Sequence, residues 1–418
     1  MKKRISVLLA VVMLLAVAMV ITGCGETNTE PKVHKHDIGE TKDVEFTVWD
    51  GSAITGEGTY NLYLDKDMKM DKKLVLGDMM STSDITINLC LNGYKWESEG
   101  RIADIYDGVT LNICNCSETE TTVVGKGDPY IKRAGTFYVN LEGELNVYGK
   151  INVTCDNTAE RVAYGGVAEV MGKMGIYGAT VTGVDVKRIP KENGQADTTT
   201  GQGGGICVNS GGELILKDGL ITGGSSAVGA NVFVVGGSTF TMENSKITGG
   251  LCKFYTYPNQ NGEPSTSGGN GSVFIEESTF IMKNSEISGA EVAGKAAVMC
   301  NKANCVVEMT DSKIINNKST HATFGGGMHW AKDDGVLKLS GKIEIDNNTN
   351  GSGKSNVLIY SPGMVIQDLG MSADSKVGIS VFENTAGKVA DKNSAAFYAD
   401  SDACKLVEDN GGWALAKK

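Results

Sequence analysis

One short sequence pattern occurs three times between Gly203 and Ala290. It reads GGELILKDGLITGG at 211–224, GSTFTMENSKITGG at 237–250 and ESTFIMKNSEISGA at 277–290. Each copy has an alternating apolar pair, a short polar turn, and a β-branched residue followed by Thr or Ser and then Gly or a small residue. Alternation with a period of two is typical of a half-buried strand, and Gly, Asn, Asp and Ser are turn residues. A strand-turn-strand unit that recurs every few tens of residues predicts a solenoid.

The rhythm continues on both sides of these copies when the β-branched residue after the turn is used as an anchor. In five of seven copies an apolar pair lies seven and five residues before the anchor. Around Ile151 and Ile343 the pair is one residue closer, which predicts a tighter corner there. The seven anchors are Ile151, Val181, Ile221, Ile247, Ile287, Ile314 and Ile343, with steps of 30, 40, 26, 40, 27 and 29 residues.

Small polar residues stand three positions before four of the anchors, namely Asp218, Asn244, Asn284 and Asp311. If the coils stack in register, Asn244 and Asn284 can hydrogen-bond along the column. The flanking aspartates leave a second role open, in which each side chain satisfies its own turn.

These coils predict an all-β fold, a right-handed parallel β-helix with N- and C-terminal caps. A chain with 55 Gly and 6 Pro has the turn-rich composition of such a fold. Right-handedness follows from the strong preference of parallel crossovers, and a left-handed hexapeptide period does not occur. We place the N-terminal cap and first irregular coils at 44–134, the regular helix at 135–372 and the C-terminal cap at 373–418. A hairpin around 409–412 is expected to cover the last coil.

The N-terminus has the layout of a secretory signal, with a basic start at 1–4 and an apolar run at 5–20. The following Ile21-Thr22-Gly23-Cys24 resembles the bacterial lipobox. That resemblance implies a signal peptide at 1–23, diacylglyceryl and palmitate on Cys24, and anchoring at the extracellular face of the cell membrane. An ordinary signal peptide or transmembrane anchor is the alternative. Residues 24–43 are polar and lack periodicity, so we predict a flexible tether.

Cysteine and histidine are not expected to hold a metal. Nine cysteines remain besides Cys24, and their odd count and irregular spacing do not indicate a complete disulfide framework. We interpret them as small apolar residues stacked in adjacent coils. Cys114 and Cys116 lack the CxxC spacing of a zinc site. His34 and His36 fall in the predicted tether, where solvated side chains are expected. We therefore predict no metal and no cofactor.

The two 40-residue steps contain insertions that leave the repeat at equivalent positions, at about 185–203 and about 251–268. They are two coils apart, so we expect them to project from the same side of the solenoid, where such insertions often form a binding surface. Exposed aromatic side chains there can stack on sugar rings or anchor a protein partner. Solvated loops without a ligand are the alternative. The candidate ligand-binding residues are Lys187, Arg188, Phe254, Tyr255 and Tyr257.

Several segments resemble a family of Gly-rich, right-handed parallel β-helix surface proteins of anaerobic Firmicutes. The resemblance covers about residue 44 to the C-terminus and implies a cell-surface location and an adhesin-like role without a shared catalytic motif. The repeats of this chain are more degenerate than those of most such proteins. The segments that carry the likeness are 89–93 (LCLNG), 111–117 (LNICNCS), 203–206 (GGGI) with the ITGG copies, 398–401 (YADS) and 413–415 (WAL).

The sequence lacks the motifs of enzymes that share this architecture. Polygalacturonase-like enzymes carry Asn-Thr-Asp, Gly-His-Gly and Arg-x-Lys, and none of these occurs here. Lyase chemistry needs an Arg or Lys base beside a calcium held by several Asp, and no acidic cluster matches the five arginines. The adjacent pair Asp333-Asp334 is interpreted as a turn. We assign no catalytic residue. A pectate-lyase-like lyase or a glycoside hydrolase with a degenerate site is the alternative function.

A formal net charge of −11 argues against nucleic acid as a partner, because a phosphate backbone requires a Lys/Arg surface. The expected function is non-catalytic binding of a polysaccharide or a surface protein by a protein anchored to the bacterial membrane. A purely structural spacer is a third possibility. An enzyme is expected to stack acidic and basic residues on one sheet face in adjacent coils, whereas a binding protein is expected to expose aromatic residues.

Overall fold

A computed structural model describes residues 34–418 except 39–40, 81, 129, 260, 303, 332–334, 361–363, 383–386 and 393. The predicted signal peptide, the lipidation site Cys24 and the predicted turn at Asp333-Asp334 lie outside the described residues. Within them the fold is all-β, with long sheets of parallel strands. Each coil contributes one strand to each of three ladders, which we name the first, second and third faces in the order in which a coil visits them.

The first face is a 13-stranded sheet that is parallel from its second strand onward. Its strands are His34–Ile38, Thr41–Val48, Gly58–Tyr63, Ile85–Cys90, Val109–Cys114, Glu144–Tyr148, Lys173–Tyr177, Glu213–Lys217, Thr239–Glu243, Thr279–Lys283, Val306–Thr310, Val336–Gly341 and Gln367–Met371. Parallel pairing runs without interruption through 85–90, 109–114 and 144–148, so the ladder has no boundary at the predicted residue 135.

The second and third faces join into one 22-stranded sheet because they share the strand Lys376–Val381. The other strands of the second face are Met68–Met70, Trp96–Ser98, Thr121–Gly125, Ile151–Cys155, Thr180–Thr182, Leu220–Thr222, Lys246–Thr248, Glu286–Ser288, Lys313–Ile315 and Glu344–Asp346. The other strands of the third face are Leu74–Leu76, Ala103–Ile105, Phe137–Val139, Ala168–Val170, Ile206–Val208, Val232–Val235, Val273–Glu276, Val298–Cys300, Met328–Trp330, Val357–Ile359 and Phe397–Ala399.

Short strands complete the architecture at the corner between the second and third faces and at the C-terminus. The corner sheet consists of Ser225–Ser226, Leu251–Cys252, Glu291–Val292, Lys318–Ser319, Thr349–Asn350 and Gly353–Lys354. An isolated hairpin pairs Phe254–Pro258 with Pro264–Gly268. The C-terminal antiparallel sheet consists of Lys388–Ala390, Cys404–Asp409 and Gly412–Lys417. The described residues include no helix that is long and apolar enough to cross a membrane.

The core lies between the three faces and follows the predicted alternation. In the strand Glu213–Lys217, Leu214 and Leu216 are fully buried while their neighbours are partly exposed. Identical residues stack from coil to coil, and the rings of Phe240 and Phe280 lie 5.0 Å apart. Each buried Leu or Phe contributes about 1.5–3 kcal/mol, so the repeated apolar pair stabilises each coil together with the buried residues of the second and third faces, such as Ile221, Ile206 and Val208.

The polar turn of the repeat is built on left-handed residues. Asp218, Asn244, Asn284 and Asp311 all have φ between 49° and 53°, which Asn and Asp tolerate better than other side chains. Asn284 Nδ2 also donates to Asn244 Oδ1 at 2.8 Å, so the predicted hydrogen bond along the column is confirmed. The same side chains therefore form both the turn and a contact between coils.

Two predicted anchors are wrong by two residues. Val153, not Ile151, is in register with Val181, and Ile345, not Ile343, is in register with Ile314. The turns before these strands contain one additional residue rather than a tighter corner. Gly149 and Gly341, with φ of 77° and 65°, adopt the left-handed backbone that the longer turns require.

The predicted tether boundary at residue 43 is also incorrect. His34–Ile38 pairs antiparallel with Thr41–Val48, and Val48 pairs in parallel with Tyr63 of the first face. The segment HKHDI is short and polar, so its sequence does not indicate a strand. Phe46, the apolar residue with which it pairs, lies after the predicted end of the tether at residue 43. At the other end, the predicted hairpin around 409–412 is confirmed, with Asp409 paired to Gly412 and left-handed residues between them.

Four asparagines form a hydrogen-bonded ladder on the outer side of the first face. Asn61, Asn88, Asn112 and Asn146 occupy one register position in four consecutive strands. Each amide donates to the side-chain oxygen of the preceding coil, at 2.8, 2.9 and 3.0 Å. Asn88 and Asn146 are buried, so their side-chain amides are largely shielded from water. The hydrogen bonds of the ladder take the place of those that water would make.

We expect Asn112→Ala to lower the free energy of unfolding by about 1–3 kcal/mol, because the buried side-chain oxygen of Asn88 loses its donor and the Asn146 amide keeps only Glu144 as an acceptor. Thr110→Ala is the matched control, since Thr110 lies two residues away on the same strand and side and is not part of the ladder. Denaturant titration of both variants measures the difference. Equal losses in the two variants would show that the ladder does not stabilise the fold.

Candidate functional site

The two insertions leave the same corner of the solenoid and meet there. In-register pairing of Val181 with Ile221 and of Ile247 with Ile287 confirms that each insertion lies within a single 40-residue step. The second insertion forms the hairpin Phe254–Pro258 with Pro264–Gly268. We refer to residues 185–203 and 251–268 together as the insertion platform.

Three contacts join the two halves of the platform. The hydroxyl of Tyr257 donates to the backbone carbonyl of Arg188 at 2.6 Å. Arg188 Nη1 donates to Ser267 Oγ at 2.9 Å, and Lys253 Nζ lies 3.0 Å from Asp185 Oδ1. The prediction that both insertions project from one side is therefore confirmed, and they form one composite structure.

Several of the predicted ligand-binding side chains are engaged inside the platform. Arg188 is 5% exposed, its Nε has no hydrogen-bond partner among the described residues, and burial lowers the pKa of its guanidinium. Lys187 is the exception, because it is exposed and forms an ion pair with Glu160, which lies outside the platform. Tyr255 packs on a buried apolar cluster, and the hydroxyl of Tyr257 binds the other insertion. Whether these residues contact a ligand stays a prediction.

Phe254 differs from the other two aromatic candidates because 43% of its surface is exposed, whereas Tyr255 and Tyr257 are half-buried. The strand alternates so that Tyr255 and Tyr257 face the solenoid while Phe254, Thr256 and Pro258 face outward. The Phe254 ring lies against the backbone of Gly269 and Gly294, where an added Cβ would come within 2.6 and 3.0 Å of it. The glycines therefore allow the ring to lie close to the corner and fix its position.

Beside the platform, the outward-facing central residues of the third face form one in-register column, which we name the outer column. Its members are Asp104, Tyr138, Glu169, Cys207, Phe233, Phe274, Met299, His329 and Leu358. Most of them are buried, although they point away from the core. The loops at the corner cover them.

The first part of the outer column is charged. Arg101 binds both oxygens of Asp104, at 2.6 and 2.9 Å, and Lys73 lies 2.6 Å from the same carboxylate. Arg133 binds both oxygens of Glu169, which is fully buried. The two acids lie on one sheet face two coils apart, and the bases come from the adjoining corner, which only partly matches the stacking of acids and bases expected for an enzyme. However, both carboxylates are bound by arginine, which is the arrangement of a structural ion pair rather than of a general acid or base that must reach a substrate.

The second part of the outer column is apolar and supports the platform. The rings of Phe233 and Phe274 stack with centroids 5.2 Å apart. Tyr255 of the second insertion packs on this cluster, so the hairpin is attached to the solenoid by apolar burial as well as by the contacts with the first insertion. The exposed face of the hairpin is therefore held in a fixed position.

Four side chains at the N-terminal end form a separate group, which we name the His/Cys cluster: His34, His36, Cys90 and Cys116. Their ligand atoms all lie within 4.8 Å of one another. The two Nε2 atoms are 2.6 Å apart, the two Sγ atoms 3.5 Å, and Cys116 Sγ lies 3.9 Å from His34 Nε2. This set of donors is able to hold a metal ion.

The expectation of solvated histidines is incorrect. His34 and His36 are 9% and 7% exposed, and His34 stacks on Tyr63 with ring centroids 4.4 Å apart. Burial and the neighbouring His34 lower the pKa of His36 to about 4, so its imidazole is neutral near pH 7. The sequence signals were the two-residue spacing of the histidines and the separation of Cys90 from Cys116 by one coil. All nine cysteines except the half-buried Cys116 are buried, as predicted, but Cys90, Cys114 and Cys207 point away from the core rather than into the coils.

His329 is the buried titratable group at the far end of the outer column. It is 1% exposed, and its Nδ1 has no hydrogen-bond partner in the part of the chain that the structure describes. Phe324 and Tyr360 pack on the ring, and Met299 and Leu358 are its neighbours in the column. Burial and, to a smaller extent, the positive charge of Lys295 together lower the pKa of His329 to about 3.

We expect this histidine to make the fold sensitive to acid. Its pKa is about 3 in the fold and about 6.5 in the unfolded chain, so protons bind the unfolded chain first as the pH falls. Its contribution is complete above about pH 6.5 and declines by about 1.4 kcal/mol per pH unit between about pH 6.5 and about pH 3. Denaturant titrations of the unmodified chain and of His329→Gln should differ by a constant above about pH 7 and converge below it. Parallel curves down to about pH 4 would contradict the assignment.

The described residues thus provide a platform with one exposed aromatic ring, a column of arginine-bound carboxylates and a convergent group of nitrogen and sulfur atoms. These geometric features are the basis on which a function is assigned. No protein-family model, curated protein or solved structure matches the chain.

Proposed function

We propose that this chain is a lipid-anchored, non-catalytic protein of the bacterial cell surface that binds a neutral polysaccharide through the insertion platform. The scaffold in this proposal is a right-handed parallel β-helix. The support for its hand is that parallel crossover connections, such as those between the faces, are strongly right-handed in proteins. The hairpin at 34–48 and the antiparallel sheet at 388–417 act as its caps, since both place antiparallel strands at the ends of the ladders. The adhesin-like role is the one implied by the resemblance to surface β-helix proteins.

The observation that carries the proposal is the exposed Phe254 ring on a hairpin that is fixed from below. The outward side of this hairpin combines the ring with the hydroxyls of Thr256 and Thr266, which lie 3.4 Å apart, and with the exposed Pro258 and Pro264, which are paired at the turn end. An aromatic face for stacking and hydroxyls for hydrogen bonding suit a sugar ring. These outward-facing residues of the two strands carry no charge, which favours a neutral glycan over an acidic one.

Two alternatives are less well supported. A polysaccharide lyase or glycoside hydrolase would need a free carboxylate or base, whereas Asp104 and Glu169 of the outer column are each bound by an arginine. A protein partner would bury a larger apolar area than a single exposed ring provides. Both alternatives predict different results in the binding experiment below.

We expect Phe254→Ala to weaken glycan binding about tenfold or more, because removal of a central aromatic anchor costs about 1.4 kcal/mol or more. Tyr130→Ala is the matched control, since Tyr130 is an exposed aromatic residue on a corner loop outside the platform. A glycan array followed by calorimetry with the best neutral oligosaccharide measures the effect. Unchanged affinity in Phe254→Ala would contradict the proposed site. Binding to cell-surface protein but not to glycans would favour a protein partner, and cleavage of the bound glycan would favour the enzyme.

The lipid anchor is tested by the change Cys24→Ser. We expect it to abolish incorporation of labelled palmitate and to release the protein from the membrane fraction, because a serine hydroxyl does not receive the thioether-linked diacylglyceryl group and without acyl chains the membrane affinity is lost. Gly25→Ser is the control, since it leaves the lipidated thiol in place. Continued fractionation of Cys24→Ser with the membrane, unlabelled, would indicate a transmembrane anchor instead.

A further inference from the structure

We propose that the His/Cys cluster is a structural zinc site that fastens the N-terminal hairpin to the first coils of the solenoid. Its four ligands are His34 Nε2, His36 Nε2, Cys90 Sγ and Cys116 Sγ. The proposal is independent of the insertion platform and of the lipid anchor. It rests on the convergence of these atoms, on their burial and on the chemistry of the donor set.

The distances between the four atoms are close to those of a tetrahedral zinc site. Bonds of about 2.0–2.1 Å to nitrogen and about 2.3 Å to sulfur place two nitrogens about 3.3 Å apart and two sulfurs about 3.8 Å apart. The corresponding separations in the structure are 2.6 and 3.5 Å, and the nitrogen–sulfur separation between His34 and Cys116 is 3.9 Å. Shifts of less than about 1 Å, within the reach of side-chain rotation, complete the tetrahedron.

The local backbone explains why the four side chains converge. His34 and His36 are two residues apart on one strand, so their rings lie on the same side of the hairpin. Cys90 ends the strand Ile85–Cys90, and Cys116 follows the next strand of the same ladder by two residues. Cys90 and Cys116 are one coil apart in sequence and therefore lie on neighbouring coils, about one strand spacing apart.

The surroundings of the cluster are those of a closed site. The His34 ring stacks on Tyr63, and the His36 ring packs edge-on against Phe46 with centroids 4.6 Å apart. The aromatic contacts hold both rings beside the two sulfur atoms.

The donor set selects the metal and its role. Two thiolates and two imidazoles suit zinc and disfavour calcium or magnesium, which take oxygen ligands. Binding replaces the thiol protons, which leave to solvent, and forms two zinc–sulfur and two zinc–nitrogen bonds without any change in oxidation state. Four protein ligands leave no open position for water or substrate, so the site is structural rather than catalytic.

The proposal is tested by metal analysis of the purified full chain. The protein is kept under reductant, supplied with Zn²⁺ alone and then dialysed. We expect one equivalent of zinc, and with Co²⁺ in its place the intense visible bands and thiolate charge-transfer absorption of tetrahedral S₂N₂ coordination. Cys116→Ser and His36→Gln should lose the bound metal and these bands. The matched controls Cys155→Ala and His321→Gln should keep them, because those residues lie outside the cluster.

A second measurement uses only the unmodified chain, so it tests the proposal even if the variants do not fold. Amide hydrogen exchange of the unmodified chain, with zinc and after chelation, should show loss of protection in 34–48 while the strands of the regular coils keep theirs, because only the hairpin is fastened by the metal. Absence of retained zinc from the reduced chain, retention in both ligand variants, or a Cys90–Cys116 disulfide in the reductant-free protein would each overturn the proposal.

Discussion

In-register stacking of parallel strands is the constraint on which the rest of this structure depends. Every coil has to place its apolar pair above that of the preceding coil, as Leu214 and Leu216 do beneath Phe240 and Met242. Changes in coil length are therefore confined to the corners, where additional residues leave the ladder without shifting it. The insertion platform and the longer turns at Gly149 and Gly341 are such changes. The scaffold is thus rigid in its faces and variable at its edges.

The repeat in the sequence was sufficient to predict the all-β class, the stacked strands and the common side from which the two insertions project, and the turn residues at 409–412 predicted the C-terminal hairpin. It located the anchors wrongly at Ile151 and Ile343, because β-branched residues also occur two positions earlier on the same side of the strand. The strand period of two makes such a pair indistinguishable by pattern alone. Only the pairing partner in the next coil determines the register.

The candidate sites were less predictable, because their contacts join residues that are far apart in sequence. Of the three aromatic residues in the second insertion, only Phe254 is exposed as predicted. The pattern could not show that Tyr257 is bound by the first insertion, 69 residues away. Likewise, His34 and Cys116 are 82 residues apart, and polar composition around the histidines suggested a tether. Spacing rules for metal sites describe local loops and do not cover ligands that are brought together by coil stacking.

The antiparallel pairing at the N-terminus has a mechanical consequence. His34 pairs with Phe46, so the first residue of the hairpin and its exit toward the solenoid lie at the same end. A pull on the chain that precedes His34 would load the hydrogen bonds of this hairpin one after another, which is the geometry in which paired strands separate under the smallest force. In the proposed site, a zinc ion bound by both histidines and by Cys90 and Cys116 would transfer the load directly to two strands of the parallel ladder. In that arrangement the strands resist in shear, with many hydrogen bonds loaded at once.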